Sequence, residues 1–257
     1  MNIPNYEYYG LMVNYWNLLR GDTSDWPDRS FYLDIIKKSG QPVLDVGCSS
    51  GRLILDFLSQ SIDIDGVDIS PEMISLCKQS AEKENLKPNL YVQSMTELNL
   101  PRKYKTILVP SSSIQLLLEP GLAFQAMKRF YDHLESGGTL VSPFMTIWVD
   151  TDPLENEWTQ EAIRPEDSAT VRRTGWSHYN PETKMEDTRD TWEIIKDGEV
   201  IETEVHEQAP ATLSYTQVEA VALFEQAGFI DVQVYSGFTI DPVKPEDTLF
   251  TLTGIKP

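Results

Sequence analysis

The stretch Val-Leu-Asp-Val-Gly-Cys-Ser-Ser-Gly at residues 43–51 constrains this chain more than any other. Val43–Val46 is apolar and β-prone, Gly47 and Gly51 free the backbone for a sharp turn, and residues 52–59 carry helical periodicity. A strand that ends in a glycine turn and enters a helix is the first unit of a nucleotide-binding α/β sheet. Its helix amino terminus faces the ligand with free amide groups. Alone, such a corner is also an ordinary strand-to-helix connection, so the rest of the chain has to decide.

Alternation decides the fold class. Short β-rich runs at 43–46, 62–67, 90–93, 106–109 and 139–142 are separated by helical stretches at 52–59, 71–84 and 121–134, the pattern of a parallel sheet covered on both faces. Ser70-Pro71-Glu72 supplies an N-cap, a proline at the first helical position and an acid in the first turn. The glycines at 137 and 138 read as a helix exit before the next strand. Beyond Pro143 the pattern changes to strand-like runs at 169–179, 184–196 and 199–208 joined by turn residues, an antiparallel meander. A helix at 214–227 and strands near 231–235 and 248–255 follow.

The expected architecture is therefore α/β: a Rossmann-like doubly wound sheet of about seven strands, mostly parallel with the last antiparallel, and an inserted antiparallel β cap. Its parts are an N-terminal helical lid at 1–40, a cofactor-binding domain from 41–145 and 211–257, and the cap at 146–210.

Asp68 makes the glycine turn more specific. It ends the second strand about twenty residues after Gly47, where a carboxylate can accept hydrogen bonds from both ribose hydroxyls. A nicotinamide dinucleotide satisfies the same logic, but its fingerprint wants glycine where this chain has Ser49 and Arg52.

From about residue 31 to 140 the chain resembles the class I S-adenosylmethionine-dependent methyltransferases. Residues 43–51 resemble their first motif, 66–73 the second-strand motif, 93–98 the adenine loop, 104–115 the fourth-strand motif and 135–140 the entry to the fifth strand. Through the meander it is similar to small-molecule members such as the amino-sugar N-methyltransferases. The resemblance implies S-adenosyl-L-methionine as cofactor and S-adenosyl-L-homocysteine as product. Asp45, Gly47, Cys48, Ser49 and Gly51 would surround the methionine part, with Arg52 available to its carboxylate, Asp68 would hold the ribose, and Ile69 with Met73 would face the adenine. Ser94 and Met95 would meet the adenine's polar edge, and Pro110 and Ser111 would lie beside the methyl. Two positions depart from the family: Ser49 replaces the middle glycine of the turn, and Ser94 replaces the aspartate that usually meets the adenine amine.

Methyl transfer needs alignment more than catalytic groups, and a base only where the acceptor arrives protonated. The weak candidates for one are His178, His206 and Tyr9; His133, in the last turn of a helix, is explained by the helix dipole. Aromatic residues gather before the first strand (Tyr6, Tyr8, Tyr9, Tyr15, Trp16) and in the meander (Trp176, Tyr179, Trp192), where some should form a lid. Trp16, Tyr32, Gln115 and Trp176 are the expected substrate-lining residues.

A net charge of −19 repels polyanions and argues against a nucleic-acid substrate, and the one compact basic pair, Arg172-Arg173, is too small to follow a phosphate backbone. Two cysteines, without Cys or His partners at ligand spacing, predict free thiols and no metal site. With no signal-like start and no long apolar run, a cytoplasmic protein that acts on a small-molecule acceptor away from membranes is expected. The rival is a cofactor-binding or regulatory protein of the same fold that no longer transfers methyl groups.

Overall fold

A computed structural model describes residues 8–119 and 121–257. Two helices, α1 (Gly10–Arg20) and α2 (Pro27–Ser39), precede the strand β1 (Val43–Val46). The chain then alternates through α3 (Ile54–Ser59), β2 (Ile64–Asp68), α4 (Pro71–Lys83), β3 (Asn89–Val92), β4 (Tyr104–Leu108), α5 (Leu122–His133) and β5 (Leu134–Met145). A four-stranded block, β6 (Glu155–Ile163), β7 (Thr170–Asn180), β8 (Met185–Lys196) and β9 (Glu199–Leu213), follows. It leads into α6 (Gln217–Ala227), β10 (Ile230–Ser236) and β11 (Leu249–Ile255).

The main sheet has seven strands in the order β10-β11-β5-β4-β1-β2-β3, and β11 runs antiparallel to both its neighbours. β1 lies between β2 and β4, so the chain winds outward to one side, then the other, and a crevice opens where the winding reverses, at the carboxyl ends of β1 and β4. β1 and β2 are buried along their whole length, as strands covered on both faces must be. One face packs on α5 and α6 through Met127, Phe130, Leu223 and Phe224, and the other on α2, α3 and α4 through Phe31, Ile36, Phe57, Ile74 and Cys77.

Local chemistry accounts for the helix ends. The Ser70 hydroxyl accepts from Met73 N at 3.1 Å, capping α4 as its sequence predicts. Thr216 and Glu219 form a reciprocal capping box on α6, which begins three residues later than the apolar pattern alone suggests. The glycines at 137 and 138 do a different job from the one expected. α5 passes directly into extended backbone at Leu134, and the β4/β5 pairing shifts from Tyr104 opposite Leu134 to Thr106 opposite Thr139. Those glycines thus sit in a bulge within β5, with Gly137 at φ 73°, where a side chain would be strained.

The second sheet, β6-β7-β8-β9, is an antiparallel meander as expected, with one strand more. β6 is exposed along nearly its whole length and acid-rich, so it lacks the apolar alternation that marks a half-buried strand. Asp197 and Gly198, at φ 53° and 82°, make the two-residue turn between β8 and β9. Leu11 and Met12 of α1 pack with Ala169, Val171, Trp192 and Ile194 of this sheet in a small core of their own, so α1 leans on the cap while α2 belongs to the main sheet's helical layer. Among the described residues no helix is long and apolar enough to cross a membrane.

Candidate functional site

The carboxyl ends of β1 and β2 bring Asp45, the glycine turn and Asp68 together. Gly47 N and Cys48 N both bond to Val67 O, at 2.8 and 3.1 Å, which stitches the turn to β2. Ser49 takes a left-handed conformation, φ 52°, and its amide donates to Asp68 Oδ2 at 2.8 Å, while Ser70 N donates to Asp68 Oδ1 at 2.9 Å. Asp68 is 8% exposed, and burial raises its pKa against the opposing pull of these backbone bonds. Each of its oxygens thus has a fixed direction, and the carboxylate keeps acceptor capacity for a ligand.

Asp45 lies below the turn, fully buried, and its Oδ1 has no hydrogen-bond partner. Burial pushes its carboxyl up to about 7, with the Arg52 charge pulling the other way. A buried polar atom without a partner is costly, and one beneath a glycine turn is a place for a ligand donor. The acceptors offered by Asp68 and Asp45 suit the ribose hydroxyls and the ammonium of S-adenosylmethionine, so the residues present fit that group.

The glycines divide their roles. A Cβ on Gly51 would lie 2.7 Å from Cys77 Sγ and 2.9 Å from Leu55, so this glycine lets α3 and α4 pack closely rather than admitting a ligand. Cys48 likewise turns inward, 3% exposed among Ile54, Ile64 and Cys77, and presents only backbone to the turn. Beside the turn a groove of about 310 Å³ is lined by Asn17, Arg20, Arg29, Ser50 and Arg52, among others.

At the end of β4, Pro110 is buried, and Ser111 and Ser112 both take left-handed conformations, at φ 56° and 54°. Ser113 closes this turn by donating from Oγ to Pro110 O at 2.7 Å. Met73 is fully buried and accepts from Ser49 Oγ at 3.4 Å, and Ile69 is 42% exposed at the end of β2. Gln93 N bonds to Asp68 O, which sets Ser94 and Met95 next to Asp68. The Ser94 hydroxyl caps the short helical turn Met95–Glu97 through Thr96 N and pairs with Thr96 Oγ1 at 2.9 Å.

Other expected residues lie elsewhere. Arg52 forms a two-pronged ion pair with buried Asp28 and stacks over Trp26 at 5.0 Å, so its guanidinium is already held. Tyr32 is fully buried in the α2 layer and does not line a cavity. Gln115 is also fully buried and acts as a tie: its Oε1 accepts from Met145 N at 2.6 Å and its Nε2 donates to Met145 O and Leu213 O. Trp176 and His178, stacked 6.2 Å apart, lie on the outer face of the cap. The two-residue period of β7 puts buried Val171, Gly175, Ser177 and Tyr179 on the inner face and these two on the opposite one. His133 is structural: Leu100 N donates to its Nε2 at 3.0 Å and its Nδ1 meets Arg129 O at 2.8 Å.

The segment around α1 is an aromatic strap whose rings mostly serve packing. Ser70 Oγ donates to Tyr8 O at 2.8 Å, and Ser50 Oγ donates to Asn17 Oδ1 at 2.7 Å, so α1 is pinned at both ends to the loops that hold Asp68. Trp16 meets Tyr8 edge-on at 5.0 Å, and Tyr15 OH accepts from Arg164 at 2.6 Å. Tyr6 lies outside the described residues. On its cap side, Tyr9 packs on His206 at 4.3 Å, and Glu204 accepts from Leu11 N at 2.8 Å. Asn17, Asp28 and Glu204 escape the sequence reading. Only Glu204 leaves a trace there, two residues from His206 and hence on the same face of a strand.

Residues 43–138 match the family model of a methyltransferase domain. A putative methyltransferase of Geobacillus sp. (strain WCH70) is 28% identical over 105 residues, 41% of this chain and 42% of that protein, so the match spans under half of that relative. The dTDP-3-amino-3,4,6-trideoxy-alpha-D-glucopyranose N,N-dimethyltransferase of Streptomyces venezuelae is 22% identical over 203 residues, 77% of this chain and 76% of that protein. Among solved structures, an S-adenosylmethionine-dependent methyltransferase from Clostridium acetobutylicum ATCC 824 superposes with a TM-score of 0.73 at 18% identity, over 94% of this chain and 96% of that one. Residues 43–138 thus carry the match to a methyltransferase domain, and the chain shares the Rossmann-like fold of a solved S-adenosylmethionine-dependent methyltransferase.

Proposed function

We propose that this protein is an S-adenosylmethionine-dependent methyltransferase acting on nitrogen or oxygen of a small molecule, with the four-stranded sheet as the cap over its acceptor. The observation that carries the reading is the Asp68 carboxylate, fixed by Ser49 N and Ser70 N at the end of β2, on the strand next to Asp45, whose Oδ1 has no hydrogen-bond partner. The matched methyltransferase domain and the amino-sugar N,N-dimethyltransferase among the relatives support it.

When bound, the cofactor supplies an electrophilic methyl group on a sulfonium. Asp68 holds the ribose hydroxyls, Asp45 receives the ammonium, and Met73 with Ile69 provides apolar surface for the adenine. Pro110 and Ser111 form the wall beside the transferring methyl. α1, pinned to the cap and to both cofactor loops, excludes water from the acceptor side, where water would weaken every electrostatic contact. The net charge of −19 and the pairing of Arg172 and Arg173 with Glu161 and Asp190 favour a small acceptor over a nucleic acid. The same features, with the two free cysteines, suit a cytoplasmic setting.

The test is turnover to S-adenosylhomocysteine on a panel of small amines and alcohols. Turnover with at least one acceptor class is expected, and tight cofactor binding with none across the panel favours a binding protein instead.

A further inference from the structure

β9 and the lid build a second arrangement that cofactor binding does not use. His206 is 4% exposed on the inner face of the cap, and its Nε2 lies 2.6 Å from Glu204 Oε1. Its Nδ1 is buried and has no hydrogen-bond partner. Tyr9 covers the ring from the lid at 4.3 Å between centroids. Across the sheet, Asp190 stands opposite His206 on β8, and Arg173 of β7 holds that carboxylate with two bonds of 2.8 Å. Glu204 is thus the carboxylate that bonds the imidazole, and it also accepts from Leu11 N at the start of α1. A side chain on Gly10 would have to displace the Glu204 carboxyl, and Gly10 takes a left-handed backbone, φ 58°, that favours glycine.

With Glu204 accepting a proton from Nε2, the neutral tautomer leaves a lone pair on Nδ1. A carboxylate that fixes the tautomer and stabilises the cation, paired with a bare second nitrogen, is the working half of a general base. The dyad also sits near the cofactor loops. Tyr8, the residue before Tyr9, bonds through its carbonyl to the Ser70 cap beside Asp68.

We propose that His206, oriented by Glu204, is the general base that removes the proton from the acceptor's nucleophilic nitrogen or oxygen during methyl transfer. The inference rests on the methyl-transfer reading above. The acceptor's N–H or O–H bond breaks and its proton goes to Nδ1. The freed pair forms the new bond to the methyl carbon, and the electrons of the carbon–sulfur bond stay with sulfur. The imidazolium that results is stabilised by Glu204. Tyr9 shields it, and its hydroxyl stays protonated because burial and Glu204 both raise its pKa.

Three proteins test it: wild type, His206→Asn and Glu204→Gln, each with S-adenosylmethionine affinity, turnover on the amine and alcohol panel from pH 6 to 9, and imidazole nitrogen NMR. With only three histidines, His206 is assignable by substitution. We expect cofactor affinity unchanged to within about twofold and kcat lower by at least about 100-fold in His206→Asn, with loss of the acid limb of the pH profile. In Glu204→Gln kcat should fall as well and the ring should lose its fixed tautomer, because the carboxylate that orients the imidazole is gone. In wild type the neutral ring should carry its proton on Nε2. Wild-type turnover that survives in His206→Asn with its acid limb intact overturns the base while leaving the methyltransferase reading standing. A proton found on Nδ1 overturns the base even where no acceptor in the panel is methylated.

Discussion

At the scale of single residues, the site trades stability for binding. Asp45 is fully buried and has no partner for Oδ1, and burial pushes its carboxyl from the ordinary aspartate value of 3.8 up to about 7. The folded protein therefore keeps a proton that the unfolded chain has released, and stability falls as pH rises from about 4 to about 7. Asp45→Asn, which keeps an acceptor for the backbone, should lack this loss. Thermal melts should find it more stable than wild type at pH 8, by on the order of a few kcal/mol, with little difference at pH 4. An ammonium beside Asp45 favours the ionised form, so S-adenosylmethionine affinity should rise between pH 6 and 8 in wild type and stay flat in the variant. Calorimetry in that range reads both. Ser49 shows why a departure from the family turn is tolerated. The position needs a left-handed backbone and an amide donor to Asp68, and serine supplies both at a strain of roughly 1 kcal/mol. Ser49→Gly should accordingly leave cofactor affinity within about threefold, measured in the same titration.

At the scale of elements, the sequence is legible where periodicity and punctuation act locally. Ser70-Pro71-Glu72 starts α4 where read, and the strands β1 to β4 fall within two residues of their expected bounds. It is illegible where tertiary contacts choose between equivalent local patterns. Trp176 and His178 read like site residues because composition cannot say which face of β7 is covered, and only packing against α1 decides that. β6 goes unread because an exposed edge strand needs no apolar pattern. Gln115 looks like a lining residue and instead locks the ends of β5 and β9 together through three hydrogen bonds. Gln115→Ala strands the Met145 and Leu213 backbone groups, so chemical denaturation should show a loss of roughly 2–3 kcal/mol. The folded fraction should bind S-adenosylmethionine with wild-type affinity, whereas a specific loss of affinity would return Gln115 to the ligand site.

At the scale of the whole molecule, the main sheet carries Asp45 and Asp68 toward the carboxyl ends of β1 and β2, and the segment around α1 packs on the four-stranded sheet while bonding to Ser50 and Ser70. Fold class could be read in advance because alternating elements and backbone turns with fixed spacing carry it. The proposed acceptor side could not, since it joins α1 (Gly10–Arg20) to strands that begin only at Glu155, with no shared motif. The charge of −19 spreads over this assembly, so added salt should stabilise it by screening self-repulsion, raising the melting temperature by about a few °C between low and physiological ionic strength. The most direct measurement of the central claim is calorimetric titration of S-adenosylmethionine into wild type and Asp68→Ala. Saturable one-site binding by wild type, weakened at least about tenfold in a variant that melts cooperatively, is the predicted result. Equal dissociation constants for the two proteins, or no binding by wild type, would contradict it.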